Sequence, residues 1–214
     1  MIVTAVERQR RRRRVNVFVD GRFALALGAD LALEQDVRPG RTLSPEELSA
    51  LAEAEARRAG FEAALRLLAY RPRSEQELRD RLARKGFGRT TVEETLARVR
   101  GLGYLDDDAF ARFWTETRQA LRPRSRWLVA SELRRRGVAQ ETAEEATAGI
   151  SDEEAAYQAA SRRLRALGGL EYPRFRERLG RFLASRGFSY HIARRTIERC
   201  WAELRGGPPD LEAL

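Results

Sequence analysis

RPRSEQELRDRLARKGF, residues 71–87, is the stretch that decides how this chain folds. It opens on Pro72, closes on Gly86, and carries Leu78 and Leu82 four apart, on one face of a helix. The pattern returns without a gap as RPRSRWLVASELRRRGV (122–138) and YPRFRERLGRFLASRGF (172–188). Aligned this way, the prolines are Pro72, Pro123 and Pro173, and the glycines are Gly86, Gly137 and Gly187. The apolar columns are Leu78/Val129/Leu179 and Leu82/Leu133/Leu183. Proline near the start and glycine just past the end mark the two ends of a helix. In the first copy Ser74 and Glu77 have the spacing of a capping box. Phe87, Val138 and Phe188 follow the glycines and suit the apolar contact of a Schellman cap.

Each of these middle helices is flanked by two more helical patterns. Ahead lie Phe61/Ala64/Leu65/Leu68, then Phe110/Phe113/Trp114/Leu121, then Ala156/Ala160/Leu164/Leu167. Behind lie Val92/Leu96/Val99, then Ala143/Ala146/Ile150, then Ile192/Ile197/Cys200. The unit is therefore three helices, repeated three times. A unit that cannot cover its own apolar face stacks on the next, so the expected fold is mainly α, an elongated, curved array of three tandem three-helix repeats. No strand is expected between residues 60 and 200.

The N-terminal region differs. VNVFVDGRFALAL (15–27) places β-branched and aromatic residues around Asp20-Gly21, a favoured hairpin turn. That turn predicts the pairs Val19–Arg22, Phe18–Phe23 and Asn16–Leu25, and IVTAV (2–6) can add a third strand. Ser44-Pro45-Glu46-Glu47 then starts a helix with an N-cap, a first-turn proline and a capping box. The expected divisions are 1–42, a small β element; 43–107, a linker helix and repeat 1; 108–150, repeat 2; 151–205, repeat 3; and 206–214, a disordered tail.

The formal net charge is +9, which suggests an acidic partner: nucleic acid, an anionic membrane or an acidic protein. Lys85 is the only lysine, and such an arginine bias fits genome composition, so no single arginine is read as selected for function. No stretch approaches the roughly 20 apolar residues of a membrane span, no secretory signal is visible, and the single Cys200 fits a reducing cytoplasm. Charge is nevertheless sorted by element. Residues 71–86 and 122–137 each carry six basic side chains and 172–187 carry five, whereas 141–154 has six acidic residues and no basic one.

SEQELRDRLARKGF, followed by GYLDDDAFARFW and then by ELRRRGV, resembles the RecX family, bacterial modulators of the RecA recombinase. The resemblance covers residues 2–200, and VNVFVDGRFALAL is similar to an N-terminal extension that some members carry. It implies a three-times-repeated three-helix fold that binds in the helical groove of the RecA–DNA filament. It further implies limits on filament growth, ATP hydrolysis, strand exchange and co-protease activity. The third copy departs from the pattern, with Phe175 where the others have serine and no YLDD ahead of it.

The residues themselves offer little for catalysis. Asp106-Asp107-Asp108 are adjacent and precede a helix, which favours capping over metal binding. His191 and Cys200 match no zinc spacing, and no phosphate loop or nucleophile arrangement stands out. No enzyme, cofactor or metal is expected, and the chain is read as a cytoplasmic monomer. The candidate binding residues are basic: a stripe of Arg73, Arg84, Lys85, Arg124, Arg135, Arg136, Arg174 and Arg186, with Arg73, Arg124 and Arg174 as one surface column. The alternative is an ordinary solvated helix face. Arg10, Arg11, Arg12, Arg13 and Arg14 make a basic arm for phosphates or acids, or else a charged strand end that blocks edge pairing. Two functions stay open on this reading: a regulator seated in the RecA filament, or a helical module acting directly on single- or double-stranded DNA.

Overall fold

In the computed structural model, residues 1–10 and 13–206 are described. Three strands, β1 Val3–Arg8, β2 Arg14–Val19 and β3 Arg22–Gly28, form an antiparallel sheet in that order. Asp20 and Gly21 both have positive φ, 47° and 77°, as the primed hairpin turn requires. Val19–Arg22 and Phe18–Phe23 pair as expected, but Asn16 faces Ala26 and Leu25 faces Val17. A bulge between Val17 and Phe18 adds one residue on β3 and shifts the register beyond it. The outer edge of β1 is covered by residues 40–43: the Val3 N–H donates to the Arg41 carbonyl at 2.8 Å, and the Gly40 N–H donates to Val3.

A short helix, α1 Ala29–Glu34, follows β3 and was not legible in the sequence, because six residues are too few to show a helical period. Then α2, Pro45–Tyr70, runs uninterrupted for 26 residues, with the expected Ser44–Glu47 capping box. Its first half packs Leu48, Leu51 and Ala54 on Val3, Val17 and Leu27 of the sheet. Its second half packs Ala63 and Ala64 on Leu78, Leu82, Leu96 and Val99. The buried Glu55 fastens the sheet to α2, accepting from the Gly28 N–H at 2.8 Å and pairing with Arg14 at 2.7 Å.

Every element after α2 is helical among the described residues: α3 Glu75–Arg84, α4 Arg89–Gly101, α5 Asp107–Leu121, α6 Arg126–Arg135, α7 Gln140–Thr147, α8 Asp152–Leu167, α9 Tyr172–Ser185 and α10 Tyr190–Arg205. Packing divides the molecule into two units. The first holds 1–71 and 78–105; the second holds 72–77 and the residues from 106 on. Both apolar columns are fully buried, Leu78, Val129 and Leu179 as well as Leu82, Leu133 and Leu183. Two expected core residues of α5 are corrected: Phe113 and Leu121 are 40% and 69% exposed. Phe110 and Trp114 face inward as expected, joined by Ala111 and Thr115, while Phe113 stands off that face and Leu121 is the exposed last residue of α5.

All three middle helices end in the same cap. Gly86, Gly137 and Gly187 have φ of 89°, 82° and 83°. Phe87, Val138 and Phe188 return N–H bonds to Leu82, Leu133 and Leu183, the long bond of a Schellman motif. Their starts differ. Ser74 and Ser125 cap α3 and α6 through their hydroxyls, with Pro72 and Pro123 standing two residues earlier. Phe175 cannot cap, so α9 begins at Tyr172 and is 14 residues long against 10 for α3 and α6. Phe175 is buried inside that extra turn, 5.2 Å from the Trp201 ring. Of the expected disordered tail, only Gly206, the left-handed cap of α10, is described; the remainder lies outside the described residues.

Within the second unit, one junction is built twice. The Ser74 hydroxyl donates to the Arg136 carbonyl at 2.6 Å, and the Ser125 N–H donates to the Arg186 carbonyl at 3.1 Å. Asp107, first residue of α5, accepts from the Glu75 N–H at 2.8 Å, and Asp152, first residue of α8, accepts from the Arg126 N–H at 2.7 Å. A Cβ on Gly137 would lie 2.3 Å from Gln76 Cβ, and one on Gly187 would lie 2.8 Å from Leu128 Cβ. Asp106 is the N-cap of α5, accepting from the Asp108 and Ala109 N–H groups, and Asp108 accepts from the Thr142 hydroxyl at 2.9 Å. The three aspartates are thus occupied as caps and ties.

Gly86 and Gly137 share a cap geometry, but a Cβ on Gly86 meets nothing within 4 Å. Gly86→Ala should therefore cost about 1 kcal/mol of left-handed strain, whereas Gly137→Ala should cost clearly more. Leu133→Ala, at a fully buried site, should cost about 2–5 kcal/mol. Urea denaturation midpoints measure all three, and equal losses at Gly86 and Gly137 would disprove the close docking at Gly137.

The Asp107 carboxyl is pushed above its ordinary value. Burial is the main cause; the Glu75 N–H opposes it, and the charges of Glu75, Asp106 and Asp108 add to it. A raised carboxylate pKa means the folded state holds this proton more tightly, so the associated stability is lost as pH rises through the folded value. Asp107→Asn keeps an acceptor for Glu75 without the charge. It should equal or exceed the parent in stability at pH 7, with the gap closing toward about pH 4. Asp107→Ala should instead cost about 1 kcal/mol. Melting curves of both variants across that pH range decide it.

Candidate partner-binding surface

The basic residues singled out in the sequence fall into different environments. Arg73 is a correction to the expected surface column: it is only 6% exposed. The cause is its neighbour, since Ser74 is fully buried at the junction and draws the preceding residue inward. Arg124, beside the equally buried Ser125, is half-buried and paired with Glu132 of α6. Glu132 is itself buried and also holds Arg118 at 2.7 Å and the Trp114 indole N–H at 3.0 Å. Arg174 lies in the first turn of α9, where no further repeat docks among the described residues, and it is exposed. The column is therefore one buried, one paired and one open arginine.

Arg136 and Arg186 occupy the caps that dock. Arg136 lies 3.9 Å over the Trp114 ring, with its Nε 3.7 Å from Glu77. Arg186 donates to the Pro123 carbonyl at 2.9 Å and lies 4.6 Å over the Phe182 ring. Arg84, Lys85 and Arg135 are exposed at the ends of α3 and α6. Each repeat thus offers at least one open cation on its middle helix, Arg84 and Lys85 in the first, Arg135 in the second, Arg174 in the third.

The sequence reading missed three arginines that gather near Arg186: Arg122, Arg162 and Arg163. They lie outside the aligned segment or at its first position, and only the packing of α8 against α9 assembles them. Their charges, with that of Arg124, add to burial in lowering the Arg186 pKa from the usual arginine value.

Of the five-arginine arm, Arg10 and Arg13 are exposed in the turn between β1 and β2, and Arg11 and Arg12 lie outside the described residues. Arg14 belongs to β2, where it pairs with Glu55 and donates to the Ala26 carbonyl at 2.9 Å, so it fastens the sheet. Cys200 is buried, its thiol pushed up to about 11 chiefly by burial, which fits packing and not nucleophilic work. His191 is exposed on α10. Among the described residues no group of three or more His, Cys, Asp or Glu is disposed to hold a metal, and no helix is long and apolar enough to cross a membrane.

Comparison with known proteins places this architecture. Residues 1–44 match the model described as the regulatory protein RecX N-terminal domain. Residues 61–98, 106–146 and 151–197 match those of the first, second and third three-helix domains of RecX. The chain is 36% identical over 166 residues to a regulatory protein RecX from Thermobifida fusca, covering 76% of this chain and 85% of the relative. It is 28% identical over 203 residues to one from Clostridium perfringens, covering 92% and 95%. A match to one from Lactobacillus delbrueckii subsp. bulgaricus, at 30% identity, spans 72% of this chain but only 56% of the relative's length. A solved structure described as the crystal structure of regulatory protein RecX superposes with a TM-score of 0.63 at 21% identity, over 91% of this chain and 98% of that one, which is a likeness of fold.

Proposed function

The chain belongs to the RecX family of regulatory proteins, and on that premise we propose that it is a negative regulator of the RecA recombinase. In this reading it lodges in the helical groove of the RecA–DNA filament and limits filament growth, ATP hydrolysis, strand exchange and co-protease activity. It acts in the cytoplasm as a monomer, by binding alone, without chemistry or a cofactor of its own.

The observation that carries the reading is the recurrence of open cations on successive middle helices: Arg84 and Lys85, then Arg135, then Arg174. A compact ligand has no use for a basic contact that comes back with each repeat. A long, regular, acidic target does, and a nucleoprotein filament presents both acidic side chains and phosphates. The acidic run 141–154 lies on other elements, with Glu144 and Glu145 exposed on α7 and Glu153 and Glu154 exposed at the start of α8. Sorting charge this way aids encounter with an anionic partner and disfavours the wrong face.

The test is inhibition of RecA ATPase on single-stranded DNA at substoichiometric amounts of the protein. Reversing one open cation per repeat, Arg84→Glu, Arg135→Glu and Arg174→Glu together, should raise the half-inhibitory concentration by at least about tenfold, or about 1.4 kcal/mol. Exposed substitutions usually cost within about 0.5 kcal/mol each. Arg84 and Arg135 stand in last turns, where a carboxylate meets the negative helix end, so the Gln triple variant accompanies the Glu one. Glu144→Arg with Glu145→Arg should leave inhibition intact. A folded Glu variant that inhibits like the parent would sink the basic-face reading.

A further inference from the structure

We propose that the arginines gathered where residues 121–125 meet α8 and α9 form a phosphodiester site: Arg122, Arg162, Arg163 and Arg186 take the sugar–phosphate backbone of a nucleic acid. The assignment rests on the regulatory reading above only for where that nucleic acid is met; in the filament, this part of the chain touches DNA while other cations face protein.

The geometry differs from that of the other arginines in the same unit. Arg118 and Arg124 share Glu132, Arg181 pairs with Glu177, Arg194 with Glu198 and Arg199 with Glu203. In the cluster, among the described residues, no carboxylate stands within ion-pair distance of Arg122, Arg162, Arg163 or Arg186. Neutral groups hold Arg162, Arg163 and Arg186 instead, and Arg122 stands exposed beside them. Arg162 donates to the Leu121 carbonyl at 2.8 Å and to the Ala120 carbonyl at 2.9 Å. Arg186 donates to the Pro123 carbonyl at 2.9 Å. Arg163 and Arg186 both lie 4.6 Å over the Phe182 ring.

Two consequences follow. First, carbonyls and a ring fix guanidinium positions without cancelling charge, so the side chains are ordered before any anion arrives and less conformational entropy remains to be lost on binding. Second, like charges held together raise the free energy of the unliganded protein, and the repulsion already bears on Arg186. A multivalent anion relieves that repulsion. Each guanidinium has five N–H donors in a planar fork, and Arg162 spends only two on carbonyls, so donors remain for phosphate oxygens. A partner protein supplies carboxylates singly, on separate side chains. A nucleic-acid strand supplies a charge at every nucleotide, a regular series to which several cations can bind together. The contacts are to backbone alone, so the binding is independent of sequence.

The experiment uses the full chain without recombinase and follows fluorescence anisotropy of a labelled thymidine homopolymer across a salt series. The parent should bind with log affinity falling linearly in log salt. Arg122→Glu with Arg163→Glu, both exposed and neither making a hydrogen bond through its side chain, should weaken binding at least about tenfold and flatten the salt slope by about 1.4, the share of two phosphates on a single strand. Arg122→Gln with Arg163→Gln should flatten the slope equally with a smaller loss, which keeps the test sound if the reversed variant does not fold. Arg112→Glu with Arg195→Glu makes the same net-charge change on exposed parts of α5 and α10, and should leave the slope unchanged.

Absence of binding by the parent, an unchanged slope in the cluster variants, or equal weakening by the control pair would each overturn the assignment. If the cluster variant binds DNA like the parent but no longer slows RecA ATPase, the cluster contacts protein; the assignment falls and the regulatory reading stands. If the cluster variant loses DNA while the parent leaves RecA ATPase untouched, the assignment stands and the regulatory reading falls.

Discussion

The second unit depends on one contact, the seating of a left-handed glycine cap against the start of the preceding middle helix. An α-helix leaves its first N–H groups and its last carbonyls without partners. Here the two deficits answer each other. The carbonyl at the end of one middle helix, Arg136 or Arg186, accepts from Ser74 or Ser125 at the start of another. The first aspartate of the following repeat, Asp107 or Asp152, accepts the next N–H, that of Glu75 or Arg126. Glycine is needed twice over, for its positive φ and because a Cβ would strike the neighbouring helix. Helix ends that would otherwise need water become the glue of the stack.

That contact explains which arginines are free. A side chain next to the seated serine is pulled in with it, as Arg73 and Arg124 are, and a guanidinium on the seated cap must find aromatic or carbonyl partners, as Arg136 and Arg186 do. Arg84 and Lys85 precede a glycine that meets nothing, and they remain in solvent. The third copy shows the converse. With Phe175 in place of serine, α9 gains a turn and no capped serine is presented to a further repeat. Terminal units of a repeat array are commonly atypical for this reason.

Much of this was legible, because helix ends and buried faces have strong local signatures. The two leucine-rich columns, the three glycine caps, the Ser44 capping box and the Asp20-Gly21 turn each follow from a few adjacent residues, and all are present. What failed depends on tertiary context. The bulge between Val17 and Phe18 moved Asn16 onto Ala26, the six-residue α1 lacked a period, Phe113 stood off the narrow buried face of α5, and Leu121 fell at its exposed end. The candidate site suffered most. An arginine column reads the same whether its members are open or drawn into a junction, and burial of Arg73 follows from Ser74 meeting a carbonyl 62 residues away.

The same ambiguity separates two clusters lying close in sequence. Arg118 and Arg124 converge on a single buried glutamate, Glu132, and with the indole of Trp114 they make a polar core for the second repeat. A buried carboxylate with partners on three sides holds structure and has nothing left for a ligand; removing it would strand two cations. Two residues before Arg124, the exposed Arg122 joins Arg162, Arg163 and Arg186, which are held by carbonyls and one ring, with no acid among the described residues to quench them. Cations arranged around an acid are finished interactions, whereas cations arranged around neutral groups keep their charge available. A family expected to meet an anionic filament needs both kinds, one to fix the repeat and one to meet the partner, and only the position of a carboxylate tells them apart.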